Sequence, residues 1–173
     1  VPFTYTGTVH AYNLTSAMAT TEEDAEQNEY DHSLFVADYA VTHTVSWDDL
    51  NNAGLIFGKD YAAGGVDYTL RAPSVGSGST GSVESQRGTP QSNEWDRILD
   101  KDDGYIKNWR DIGSWGQDTL PNTLSNRVIR GRYDLPRKYA GANTTLSFPF
   151  LGFRPVLEVL NADTLSPVAL HAV

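Results

Sequence analysis

Gly152-Phe153-Arg154-Pro155-Val156-Leu157-Glu158-Val159-Leu160, near the C-terminal end, is the stretch on which the fold turns. Its apolar run, broken by one Arg-Pro pair, predicts a buried strand. Asn126-Arg127-Val128-Ile129-Arg130-Gly131 predicts a second one. Residues 132–151 lie between them and mix Tyr, Arg, Asp, Asn, Thr, Ser, Gly and Pro with neither helical nor strand period. Two framing strands around an aromatic- and guanidinium-bearing segment suit the display of a surface. Tyr and Arg give large, adaptable contact area at modest entropic cost.

Upstream, Phe3-Thr4-Tyr5-Thr6-Gly7-Thr8-Val9-His10-Ala11-Tyr12 and Ser33-Leu34-Phe35-Val36-Ala37-Asp38-Tyr39-Ala40-Val41-Thr42 are rich in β-branched and aromatic residues and predict strands. Ser46-Trp47-Asp48-Asp49-Leu50 predicts a helix start, with Ser46 as cap and two carboxylates in the positive first turn. Gly54 is its expected stop. Leu55-Ile56-Phe57-Gly58 and Val66-Asp67-Tyr68-Thr69-Leu70-Arg71 read as strands flanking a Gly64-Gly65 turn. Residues 74–88 are Gly/Ser-rich and read as a flexible loop too polar to pack. Asn93-Glu94-Trp95-Asp96-Arg97-Ile98-Leu99 predicts a second helix, capped by Asn93, with Trp95, Ile98 and Leu99 turned inward. Residues 101–125 read as loop, studded with Trp109 and Trp115.

The chain has 173 residues, enough for one domain with a proper core. No apolar run approaches the roughly 18–20 residues of a membrane span, so no membrane insertion is expected. It opens Val1-Pro2-Phe3 without Met and reads as a processed or excised piece. The net charge of −9 argues against a nucleic-acid partner, because phosphate binding needs an excess of Lys and Arg. That charge is uneven. Glu22, Glu23, Asp24, Glu26, Glu29 and Asp31 crowd together, whereas Arg127, Arg130, Arg132, Arg137, Lys138 and Arg154 cluster around the framed segment. Ordinary solvated surface accounts for this, and so does a locally basic face suited to an anionic or carboxylate-bearing ligand.

Cysteine is absent, which removes disulfides, thiolate metal sites and a Cys nucleophile. His10, His32, His43 and His171 are scattered without metal-ligand spacing, so no metal or other cofactor is expected. Asp100, Asp102, Asp103 and Gly104 read as a solvated turn, with a bound calcium ion as the alternative. Asp118 and Asn122 around Pro121 have the same two readings. Trp47 and Trp95 are expected to anchor the core. Trp109 and Trp115 could serve the core or a binding face. Arg127, Arg130 and Arg154 are expected in structural contacts, with Glu158 and Asp111 as candidate partners.

In this order, Val45-Ser46-Trp47-Asp48-Asp49-Leu50, Glu94-Trp95-Asp96-Arg97, Ser114-Trp115-Gly116-Gln117-Asp118, Asn126–Gly131 and the Gly152-Phe153-Arg154-Pro155 motif resemble C-type-lectin-fold domains. The nearest group is the variable, ligand-displaying proteins of diversity-generating retroelements from bacteria and phages. The Gly-Phe-Arg ending is more distantly similar to formylglycine-generating enzymes, whose cysteine chemistry this composition excludes. The resemblance covers residues 45–160. It implies an α+β, C-type-lectin-like domain there, with a β-rich N-terminal extension at 1–44 and a C-terminal tail at 161–173.

By that resemblance the chain is a non-catalytic receptor-recognition domain, and the binding surface precedes the Gly-Phe-Arg strand. The implied contacts are Arg132, Tyr133, Asp134, Arg137, Tyr139, Asn143, Thr144, Thr145, Ser147 and Phe148. The implied partner is a protein or glycan on a cell or virus surface. The implied setting is a phage tail or bacterial surface, as a homotrimer or the tip of a larger fibre. Adenine randomisation in asparagine-type codons cannot produce Lys, so Lys138 would be an invariant position. A lectin-fold enzyme or metal-dependent sugar-binding protein is one alternative, and a structural assembly domain of a tail or surface protein is another.

Overall fold

A computed structural model describes residues 1–10, 30–107 and 110–159. Two five-stranded sheets and two short helices make an α+β architecture. The first sheet is antiparallel throughout. Its order is β1 (Phe3–Val9), β2 (His32–Ala37), β12 (Val156–Val159), β5 (Val66–Arg71) and β4 (Lys59–Ala63). The second runs β10 (Tyr139–Asn143), β9 (Thr123–Arg130), β8 (Gly113–Leu120), β11 (Leu151–Phe153) and β3 (Thr42–His43), with β8 and β11 parallel. A two-stranded ladder joins β6 (Ser79–Thr80) to β7 (Arg87–Gly88).

The described residues among the first 44 supply β1, β2 and β3 to these sheets. β2 is buried along its length and lies between β1 and β12. Side-chain alternation explains its two-faced burial: Leu34 and Val36 enter one core with Val156, and Phe35 enters another with Leu157 and Val159. The 161–173 tail, Ala11 and Tyr12, and the acidic run from 22 to 29 lie outside the described residues, as do Trp109 and His171.

Both helix expectations hold. In α1 (Trp47–Asn52) the Ser46 hydroxyl accepts the Asp49 N–H at 3.0 Å. Gly54 follows the helix at φ +76°, a conformation other residues adopt at a cost. In α2 (Glu94–Lys101) Asn93 accepts the Asp96 N–H at 2.9 Å, and Trp95, Ile98 and Leu99 are buried. Gly64 and Gly65 both have positive φ and make the hairpin turn between β4 and β5.

Four local expectations fail, each for a physical reason. Leu55–Gly58 is a turn, not a strand. Leu55 N–H closes back on Leu50 O at 2.9 Å, and Ile56 fills the core around Trp47, so the edge strand starts at Lys59. Residues 74–77, expected to be too polar to pack, are buried, with partners for the Ser74 side chain and for the backbone N–H groups of Ser74, Val75 and Ser77. Ser74 and Glu94 exchange hydrogen bonds of 2.9 and 3.0 Å, and Val75 N–H reaches Asp118 at 2.6 Å. Residues 101–125, read as loop, contain β8, the middle strand of its sheet. It is buried nearly throughout, so no polar/apolar alternation marks it. Finally, the segment 132–151 is not wholly irregular, since β10 pairs with β9 across five registered residues.

Gly152 shows why the Gly-Phe-Arg motif begins with glycine: a Cβ there would lie 2.8 Å from Thr42 O and from Ile112. No described helix is long and apolar enough to cross a membrane.

Candidate ligand-binding face

The framed segment leaves β9 through an uncommon backbone. Gly131 has φ +75°, and Arg132, Tyr133 and Asp134 follow at +145°, +54° and +57°. Left-handed non-glycine residues cost on the order of 1–3 kcal/mol each, so three in succession must be held by their surroundings. The hold is visible. Gly131 N–H bonds Lys138 O at 2.9 Å, closing the loop at its neck. Trp95 Nε1 donates to Pro136 O at 2.9 Å, and Arg130 donates to Arg137 O at 3.2 Å. Arg137 then pairs with Asp96 at 3.5 Å and with Asp100 at 3.1 Å.

Beneath the loop lies a fully buried charge cluster. Arg130 bonds Asp96 at 2.8 Å and Val75 O at 2.9 Å, while Asp96 also receives Gly88 N–H and Asn93 Nδ2. A second cluster sits at the first sheet. Arg71 makes two 2.7 Å bonds to Glu94 and one of 3.1 Å to Glu158. His32 also bonds Glu94, and Tyr30 donates to Glu158 at 2.5 Å. Burial would raise the Glu94 carboxyl, but the Arg71 charge and the hydrogen bonds from Arg71 and His32 hold it well below the usual carboxylate range. Burial would lower His32, yet its hydrogen bond and attraction to Glu94 raise it.

Glu158 therefore takes Arg71, not the arginines expected to seek it. Arg154 instead donates to the carbonyls of Ala37, Asp38 and Lys107. Arg127 bonds the carbonyls of Leu124 and Asn126 and lies 4.4 Å over the Trp47 ring. Arg130 takes Asp96. The Trp115 question resolves toward the core: its ring is buried and its Nε1 donates to Val45 O at 2.9 Å. Asp118 is buried, and that burial pushes its carboxyl up to about 6 despite N–H donors from Val75 and Gly76. In the 100–104 turn, Asp100 is held by Arg87 and Arg137, and Asp102 accepts Gly104 N–H at 2.8 Å.

Of the ten expected contacts, the structure brings three together at the surface. The Arg132 guanidinium lies 3.9 Å over Phe150 and 4.4 Å over Tyr133. Phe148 stacks on Phe150 at 5.3 Å, and Lys138 Nζ sits 5.6 Å over Tyr133. Tyr133 is 51% exposed and Phe148 46%. A cleft of about 490 Å³ opens beside this row, lined by Arg110, Asp111, Ile112, Arg132, Tyr133, Pro149 and Phe150.

The other seven divide. Asp134, Thr145 and Ser147 are exposed. Arg137 is occupied by carboxylates, and the Tyr139 hydroxyl reaches Gly76 O at 3.4 Å while its ring packs on the core. Asn143 Oδ1 is taken by Thr145 N–H and Oγ1 at 3.0 and 2.8 Å. Thr144 O accepts Asp48 N–H at 3.0 Å, tying the far end of the segment to α1. Sequence reasoning missed Phe150, Lys138 and Arg110 as members of the face. Phe150, two residues beyond Phe148, was the available signal.

Comparison with known proteins gives no match to this chain, whether by family model, by curated protein or by solved structure.

Proposed function

We propose that this chain is a non-catalytic recognition domain whose binding face is the aromatic and cationic row formed by Arg132, Tyr133, Phe148 and Phe150. The observation that carries this is the run of three left-handed non-glycine residues, Arg132 to Asp134, held open over buried ion pairs. Strain of this kind persists where the surroundings over-determine it and is found at binding sites. Large rigid rings and a guanidinium at an exposed tip have the composition of an interaction hot spot.

We further propose that the scaffold is C-type-lectin-like and that the chain is the variable protein of a diversity-generating retroelement. The resemblance of 45–160 supports this. So does the mechanical separation between residues 126–131 and 152–159, tied into sheets, and exposed positions such as 133, 134, 145, 147 and 148. In this role the domain would stand on a phage tail or bacterial surface and meet a protein or glycan on another cell or virus. Trimerisation would multiply individually weak contacts.

The test is to sequence the locus across many isolates of its source. Substitutions confined to 132–151, with 126–131 and 152–160 constant, are expected. Changes scattered evenly along the chain would overturn the retroelement assignment.

A further inference from the structure

Arg132 differs from the buried arginines in that its side chain has no hydrogen-bond or carboxylate partner among the described residues. Arg71 and Arg130 are bound by carboxylates and Arg154 by backbone carbonyls, all within the fold. Arg132 makes no salt bridge with any described residue, and its Nε, like those of Arg130 and Arg154, is buried without a hydrogen-bond partner, so the terminal Nη atoms are the ones left to a ligand. Its guanidinium lies over two rings, those of Tyr133 and Phe150. Contact with the two rings restrains the guanidinium while its terminal nitrogens bond no described residue. A planar fork so held is suited to take the two oxygens of one carboxylate. Pre-orientation by Tyr133 and Phe150 reduces the side-chain entropy lost on binding.

We propose that Arg132 is a receptor for a single carboxylate, that of an Asp or Glu side chain flanked by apolar residues on a protein partner. This rests on the recognition function proposed for this face. The surroundings select a single charge over a polyanion. Arg110 and Lys138 add positive charge near the cleft, but Asp111 lines it and Asp134 is exposed on the same loop. A phosphate or a run of acidic residues would meet those carboxylates. The apolar flank has its counterpart in Tyr133 and Phe148, with Ile112, Pro149 and Phe150 along the cleft. A neutral glycan is disfavoured because it offers the Arg132 guanidinium no anion. Asn143, the amide in this segment, has its Oδ1 already taken by Thr145.

The experiment is an NMR titration of the ¹⁵N-labelled full chain, following the Arg132 side-chain and the 131–150 backbone resonances. The probes are acetyl-Phe-Asp-Phe-amide, its Asn counterpart and glucuronate. Expected is saturable movement of the Arg132 signals by the Asp peptide, with at least about tenfold weaker binding of the Asn peptide. Arg132→Lys keeps the charge but neither the fork nor the stack. It should lose that discrimination while its amide spectrum remains that of a folded chain. Equal binding of the two peptides, or shifts confined to other regions, overturns the proposal. Glucuronate binding at Arg132 as tightly as the Asp peptide overturns the choice of a protein partner. Locus sequencing reports independently on the recognition function. Confined variation with no carboxylate preference sinks this inference alone, and carboxylate binding at an invariant face sinks the retroelement reading alone.

Discussion

Arg71 and Arg132 are the same side chain put to opposite uses. Arg71 is buried, and the Glu94 and Glu158 carboxylates take its Nε and both terminal nitrogens. Arg132 stands at a surface tip, stacked on two rings and bonded to no carboxylate. A buried guanidinium needs carboxylates, as at Arg71, or carbonyl oxygens, as at Arg154, because its desolvation costs several kcal/mol. An exposed one keeps its water and its freedom to meet a ligand. Which guanidinium groups meet carboxylates, more than the distribution of charge along the chain, separates Arg71 and Arg130 from Arg132.

The contrast predicts a graded series. Arg71→Met should have the largest effect, because Glu94 and Glu158 would be left buried without their cation. Loss of about 3–5 kcal/mol in urea denaturation is expected. A loss below about 1 kcal/mol would mean that the cluster reorganises, and the comparison would break.

Asp118 tests a buried carboxylate whose donors are backbone N–H groups. Its folded value of about 6 lies above the unfolded value of about 3.9, so the native state binds the extra proton. The favourable contribution is complete below pH 4 and is lost as pH rises to 6. This amounts to about 2–3 kcal/mol at most. Stability measured against pH should fall across that window, and Asp118→Asn should flatten the fall. A slope unchanged in the variant would assign it to another group.

Arg137 occupies the middle ground, part-buried and shared between Asp96 and Asp100. Both carboxylates keep another arginine when it is removed, so Arg137→Ala should cost only about 1 kcal/mol. The informative readout is hydrogen exchange in 132–138, which should quicken if this pair holds the loop. Arg132→Ala should have the smallest effect on stability, within about 0.5 kcal/mol in thermal or urea melts. Destabilisation several times larger would make Arg132 a structural residue and remove it from the binding face.

How much of this was legible beforehand depended on the kind of signal. The caps at Ser46 and Asn93, the Gly64-Gly65 turn and the strands at 126–130 and 156–159 rest on neighbours in sequence, and local chemistry revealed them. β8 was missed because a middle strand, buried along its length, carries no alternation. Its Ser114, Gln117 and Asp118 looked like loop residues. The buried role of Ser74 was equally hidden, since its partner Glu94 is twenty residues away. Arg132, Tyr133 and Phe148, implied as contacts by the family resemblance, lie together in the fold. Asn143 and Arg137 were anticipated as contacts although the fold has already engaged their side chains.

The sequence by itself determined where helices begin, which apolar runs enter the core, and that residues 132–151 carry rings and guanidinium groups between two strands. Only the tertiary structure decided which charges are spent. Five arginines and Lys138, between 127 and 154, are alike in one dimension. Pairing is set by contacts such as Arg130 with Asp96 and Arg71 with Glu158, between residues far apart in the chain. Local propensity does not encode such contacts; close packing brings the groups together, and the cost of burying an unpaired charge then selects the arrangement.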